Sequence, residues 1–451
     1  MDELIIIGGG LAGCEAAWQA AQRGVHVLLY EMRPEKMTEA HKTPLLAELV
    51  CSNSLRSKEI NTGPGLLKKE LELAGSIVMS AALASEVPAG SALAVDRALF
   101  AGYITEAMTN HRNIRIIREE VTSIPDSLAI LATGPLTSGA MADALKELIG
   151  GDHLFFYDAI APIVDADSID YSKVYLASRY GKGGDDYVNC PMSEHEYSRF
   201  FEALQNADKV HKMDFEDSKV FEGCMPVEVM AERGRDTLRF GPLKPVGLPD
   251  PKTGRIPYAV VQLRAENIER SAYNMVGFQT RLKWQDQKEV FAMVPGLEHA
   301  DFLRLGSIHR NTFINSPLHL NSDLSLKEKG SLYLAGQITG VEGYIESTAM
   351  GLIAGINASG KLLGKETTQP PRVSAHGSLI AHITGCGPHP QKSATLGDPR
   401  PAGFQPSNIN FGLVPAVIHK PEIKDKKLRR QMAAEVALKE WSEYINLIGN
   451  R

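Results

Sequence analysis

Three features of the chain have residue types and spacing that could do chemistry: an N-terminal glycine cluster and two cysteines in polar loops. Gly8, Gly9, Gly10, Leu11, Ala12 and Gly13 run in succession, and Gly8, Gly10 and Gly13 fit G-x-G-x-x-G. In that pattern the first glycine permits a tight turn. The second lets a pyrophosphate approach the backbone, and the third lets a helix pack closely on the strand before it. The helix N-terminus then offers free N–H groups and a partial positive charge to phosphates. Cys51 precedes the polar turn Ser52-Asn53-Ser54-Leu55-Arg56, where Arg56 can stabilise a thiolate. Cys224 sits in Glu222-Gly223-Cys224-Met225-Pro226, whose glycine and proline indicate an exposed loop. A thiolate in such a setting is a nucleophile.

The elements that must position these residues can be read around them. The apolar run 4–7 is expected to form a parallel strand covered on both faces. A second strand over 25–30 ends at Glu31, an acid about twenty residues past the glycines that can accept hydrogen bonds from an adenosine ribose. Segments 113–117 and 127–132 read as further strands, the latter leading into Thr133-Gly134. Such a turn is common where a backbone passes the adenosine part of FAD. Residues 331–335 form another expected strand, ending at Gly336. Gly340, Gly343, Tyr344 and Ile345 then lead into a helix of small residues whose N-terminus can point at the flavin end of FAD.

No second glycine fingerprint follows a strand, so one dinucleotide site, for FAD, is expected, with a nicotinamide donor visiting the flavin. The fold class expected is α/β. A Rossmann-type, two-dinucleotide-binding flavoprotein domain is interrupted by an α+β insertion. The boundaries read are 1–185 and 323–451 for the two parts of the FAD domain and 186–322 for the insertion. The second part ends in a C-terminal helical segment.

Composition sets outer bounds. The 451 residues allow two or three domains, and 43% hydrophobic with 23% charged residues is ordinary for a globular protein. A net charge of -6 argues against a chain basic all over, while leaving room for a local nucleic-acid surface. The sequence shows no leader pattern and no apolar run of about 18 residues, which predicts a cytoplasmic protein without membrane contact. The five cysteines show no metal-ligand spacing and no disulfide framework, so no metal site is expected. Cys14 reads as packing within the first helix, and Cys190 as structural or lining a ligand site.

Taken together, 8–17 and 335–344 resemble the GidA-related flavoproteins. More narrowly, 48–57, 187–192, 221–228 and 404–412 resemble the folate- and FAD-dependent tRNA (uracil-5-)-methyltransferases among them. The resemblance implies transfer of a one-carbon unit from 5,10-methylenetetrahydrofolate to carbon 5 of a T-loop uridine (position 54 of the tRNA). It also implies that NADPH or NADH would supply electrons through FAD. Carbon 5 of uracil is a poor nucleophile, and a thiolate adding at carbon 6 activates it. Reduced flavin would carry the methylene, and a base would remove the carbon-5 proton.

The resemblance makes one of Cys51 and Cys224 the uracil nucleophile and the other a partner beside the flavin. The sequence does not decide which; the assignment taken here gives Cys224 the attack. His309 is placed to stack on a pterin or flavin ring, and Glu342 and Glu346 are base candidates by position. Basic residues such as Arg233, Arg235, Arg239, Arg264 and Arg281, with the run 424–430, are candidate contacts to the tRNA T-arm. The competing reading is an FAD-dependent thiol–disulfide or flavin oxidoreductase using the same two cysteines. Oligomeric state is not readable from the sequence.

Overall fold

The structure is a computed structural model that describes residues 3–38, 40–150, 154–210, 225–386, 404–415 and 423–449. For 154–159 and 308–311 the strands are described and the side chains are not. The first sheet is parallel, with strand order β16-β7-β1-β2-β6. Its strands are β1 (Leu4–Ile7), β2 (Val27–Glu31), β6 (Ile114–Arg118), β7 (Ala129–Leu131) and β16 (Leu332–Leu334). β1 pairs with β2 on one side, Ile6 opposite Leu29, and with β7 on the other, Ile6 opposite Ile130. The chain therefore leaves β1 in two directions, and ligands of open α/β sheets bind beyond the carboxyl ends of strands at such a point.

Small residues fix how the helices lie on this sheet. The Leu11–Gln22 helix and the Tyr344–Leu362 helix cross with their backbones touching. A Cβ on Gly351 would come 2.2 Å from the carbonyl oxygen of Ala12, and one on Gly355 would come 2.6 Å from that of Ala16. Four-residue spacing puts both glycines on one helix face. The contact brings the uncapped N-terminus of each helix to the same edge of the sheet.

The second sheet is antiparallel, ordered β10-β11-β12-β13-β9-β14. It comprises β9 (Ile163–Asp165), β10 (Tyr175–Leu176), β11 (Tyr187–Met192), β12 (Ala259–Ala265), β13 (Ala272–Met275) and β14 (Phe302–Arg304). All seven residues of β12 are buried. The Glu194–Asn206 helix, opened by a Ser193/Glu196 capping box, contributes Tyr197, Phe200, Phe201 and Leu204 to a core separate from that of the parallel sheet. The strands of this sheet thus begin at Ile163, ahead of residue 186 where the sequence changes character, and end at Arg304, ahead of residue 322. The antiparallel pair β8 (Leu154–Ala159) and β15 (Ile308–Phe313) leads into and out of it. A small sheet of β3 (Ser54–Ser57), β5 (Ala92–Val95) and β4 (Glu86–Val87) follows the Cys51 loop.

The C-terminal helix, Lys426–Gly449, docks through Trp441. Its indole Nε1 donates to the Glu70 carbonyl at 2.8 Å, and its ring stacks on His376 at 4.2 Å between centroids. Among the described residues no helix is long and apolar enough to cross a membrane.

Candidate functional site

A cleft of about 1280 Å³, counting the open solvent at its mouth, lies at the carboxyl ends of β1, β2 and β7. Of the residues singled out on sequence, Gly8, Gly10, Leu11, Ala12, Glu31, Cys51, Gly134, Gly336 and Tyr344 line it. They come from six separate stretches of chain. Gly8 has φ +107°, and a Cβ there would meet the Ala132 carbonyl oxygen at 2.5 Å, so the turn accepts only glycine. A Cβ on Gly13 would lie 1.8 Å from the Gly8 carbonyl oxygen, which is the close helix–strand packing expected of the third glycine. Gly10 differs from both. A Cβ there would meet nothing within 4 Å, so the space it leaves serves the cleft and not the packing. No side chain caps the helix that starts at Leu11, which leaves its first N–H groups for an anion. This open cradle fits the pyrophosphate of a dinucleotide.

Glu31, buried at the end of β2, ties the glycine turn to the cleft wall. Its Oε2 accepts from the Gly9 N–H at 2.9 Å, and its Oε1 accepts from the Arg33 N–H at 3.0 Å and the Arg33 Nε at 2.9 Å. Burial works to raise its pKa, but Arg33 and these N–H groups outweigh it and hold the carboxyl below the usual range. A carboxylate has about four acceptor sites, so room remains on Oε2 for a ribose hydroxyl.

Other expected residues stand behind the wall. Gly9 contributes its N–H to Glu31. A Cβ on Gly340 would strike the Phe404 ring at 2.1 Å, so that glycine makes room for the 404–412 segment. Gly343, at φ +114°, sits against the Glu346 carboxylate, and Ile345 is in the core. Cys224 lies outside the described residues, as does the side chain of His309 on β15.

Cys51 is half-buried and its loop is held from three sides. The Tyr344 Oη accepts the N–H groups of Cys51 at 2.9 Å and Ser52 at 3.2 Å. Desolvation, then the neighbouring Cys51, pushes the Tyr344 phenol above its ordinary range, so it stays neutral. The Cys51 carbonyl accepts from Arg97 Nη2 at 3.0 Å and Arg304 Nη2 at 3.2 Å. Arg304 Nη1 also donates to the Val50 carbonyl at 3.2 Å, and Arg97 Nη1 donates to that of Leu49. Arg264 Nε donates to Asn53 Oδ1 at 2.9 Å and its Nη2 to Ser52 Oγ at 2.8 Å. Arg264, read on sequence as a phosphate contact, is instead buried and engaged within the protein. Its position in β12, buried on both faces, turns it inward.

Arg56, expected beside the Cys51 sulfur, pairs with Glu346 at 3.3 Å. Glu346 is fully buried, and burial raises its pKa against the pull of Arg56. Its Oε1 also accepts the Ile409 N–H at 3.1 Å. Glu342 is buried as well, and its Oε1 accepts from Gln337 Nε2 at 2.8 Å, so it orients a cleft residue and does not itself line the cleft. Arg281 pairs with the buried Glu228 at 3.6 Å, and Arg239 stacks over Tyr258 at 3.6 Å. Cys14 and Cys190 are buried, and burial pushes both thiols up and makes them inert. Arg33, Glu48, Gln337, Arg97 and Arg304 were not picked out as part of the site on sequence. Glu48 and Gln337 lie inside the 48–57 and 335–344 stretches that carry the resemblance, whereas Arg33, Arg97 and Arg304 carry no local pattern and only their convergence in space marks them.

Known proteins align with this arrangement. The GIDA family model, Glucose inhibited division protein A, matches residues 3–366. The chain is 56% identical over 438 residues to the Geobacter sulfurreducens protein named Methylenetetrahydrofolate--tRNA-(uracil-5-)-methyltransferase TrmFO, covering 97% of this chain and 98% of that one. It is 54% identical over 450 residues to the Moorella thermoacetica protein of the same name, with 100% of both chains covered. In structure it is similar to Aquifex aeolicus GidA, with a TM-score of 0.70 at 16% identity over 99% of this chain and 73% of that one, a likeness of fold. With a family model spanning most of its length and relatives more than half identical from end to end, the chain belongs to the GidA family, in the branch that contains the TrmFO proteins.

Proposed function

We propose that this chain is a methylenetetrahydrofolate- and FAD-dependent tRNA (uracil-5-)-methyltransferase that forms 5-methyluridine in the T-loop, with NADPH or NADH as reductant. The observation that supports this best is one cleft in which a dinucleotide cradle and the Cys51 loop share a wall. FAD, when bound, would supply the redox and one-carbon-transfer chemistry. The chain's own residues do the rest. Gly8, Gly10 and the N–H groups that follow hold the pyrophosphate, and Glu31 takes a ribose hydroxyl. Tyr344, Arg97 and Arg304 fix the Cys51 backbone at the cleft. Cys51 and Cys224 divide the thiol chemistry: one adds to uracil carbon 6, and the other works beside the flavin. The parallel-sheet parts within 1–185 and 323–451 would serve the cofactor, and the antiparallel sheet from Ile163 to Arg304, with the rest of 186–322, would serve the folate and the RNA.

The test is anaerobic incubation of the FAD-loaded protein with a tRNA transcript, methylenetetrahydrofolate and NADPH, followed by nucleoside analysis. 5-Methyluridine that requires all three reagents supports the reading. Its absence with FAD bound refutes it.

A further inference from the structure

We infer that Arg97, Arg264 and Arg304 form a positive cluster whose missing counter-charge is the Cys51 thiolate, so that Cys51 rests ionised before any substrate binds. The three guanidinium groups arrive from different elements. Arg97 opens the Arg97–Asn110 helix, Arg264 lies in β12 and Arg304 ends β14. All three converge on residues 49–53. Among the described residues one acid answers them: Glu266, directly after β12, which pairs with Arg97 and is itself buried. Two positive charges are left unanswered among the described residues, and a Cys51 thiolate offsets one of them; an uncompensated buried charge is unfavourable.

The other acids nearby are already engaged. The Asp96 carboxylate accepts the N–H groups of Ala98, Leu99 and Ile268. Glu48, three residues before Cys51, is turned to Lys42, Thr43 and Arg33. Tyr344 faces the loop from the opposite side as a neutral phenol that already accepts two N–H groups. The Nε of Arg304 is buried with no hydrogen-bond partner among the described residues. Among the described residues Cys51 is the group at this wall that can lose a proton, and positive neighbours favour the thiolate. The interaction is mutual: a negative sulfur at Cys51 helps keep each of the three guanidiniums charged.

This deepens the role proposed for Cys51, but the ionisation belongs to the resting chain and needs no turnover. The thiol proton goes to water. Arg97, Arg264 and Arg304 are therefore positioning residues that act through the sulfur.

The experiment labels the full-length protein with iodoacetamide across pH 5–9 and reads each cysteine separately by peptide mass spectrometry. The exposed Cys386 serves as internal comparator. Cys51 is expected to reach half its maximal rate at lower pH than Cys386. Arg304→Gln should slow Cys51 labelling at pH 6.5 by about three- to tenfold, and Arg304→Lys should restore it. Glu266→Gln removes the one negative partner and should move the Cys51 midpoint the other way. A general loosening of the loop cannot produce that reversal of sign. A Cys51 midpoint equal to that of Cys386, or one unmoved by Glu266→Gln in a folded protein, overturns the inference. Loss of methylation with this labelling pattern intact would instead count against the proposed function.

Discussion

Tyr344→Phe removes one oxygen and leaves two backbone N–H groups, of Cys51 and Ser52, without their acceptor. A neutral hydrogen bond contributes about 0.5–1.5 kcal/mol net, so the pair is worth about 1–3 kcal/mol to the ordered loop. Both residues are only half-buried. Water can partly replace the lost oxygen, which places the expected cost in the lower part of that range, about 1–2 kcal/mol. The effect is local, because Arg97 and Arg304 still hold the carbonyl of Cys51. The assay is native-state hydrogen exchange. The Cys51 and Ser52 amides should exchange about 5–30-fold faster in the variant, while amides of β12 should not change. Unaltered exchange at these two amides would refute the claim that Tyr344 holds the loop. Acceleration spread evenly over β12 would show that the oxygen acts through global stability and not through the Cys51 loop.

The two glycines of the fingerprint should separate binding from folding. Gly10→Ala should change the stability of the FAD-free protein by less than about 0.5 kcal/mol and weaken FAD binding by about 1–3 kcal/mol, whereas Gly13→Ala should lower stability itself; urea melts and flavin titration decide. Glu15 is buried, and burial raises its pKa from 4.5 to about 7 against the pull of Ser76 and Gln19. Its folded form therefore binds the proton more tightly, its contribution is complete below about pH 4.5, and stability is lost as pH rises through 7. Relative to Glu15→Gln, the wild-type protein should lose up to about 1.4 kcal/mol per pH unit across that window in urea melts; a flat difference would contradict the assignment. Trp441→Ala deletes a fully buried ring that stacks on His376 and donates to Glu70. It should cost about 3–5 kcal/mol, and calorimetry showing an unchanged melting temperature would remove the C-terminal helix from the folded core.

The cofactor half of the fold was readable because its signals are local. An apolar run, a glycine turn and an alanine-rich helix lie within 4–22, and each constrains the backbone by itself. The Tyr344–Leu362 helix was readable for the same reason. The environment of Cys51 was not. Its clamp joins residues 49–53 to Arg97, Arg264 and Arg304, up to 254 positions away, and no periodicity connects them. A cation in sequence reads as a surface charge by default. Arg264 is inward because β12 is covered on both faces, a property of the finished sheet. Gly340 shows the same limit: the packing of Phe404 against it joins residues distant in sequence, and no local pattern connects them. The start of the antiparallel sheet at β9 was hidden by brevity, since three residues are too few to show an alternation.

The most direct test of the whole account is a crystal structure of the protein with FAD bound. It should show the pyrophosphate against Gly10 and the start of the Leu11–Gln22 helix, with the isoalloxazine ring beside Tyr344 and within about 4 Å of the Cys51 sulfur, a near-attack separation. A flavin bound elsewhere, or in this cleft with its ring turned away from Cys51, would contradict it.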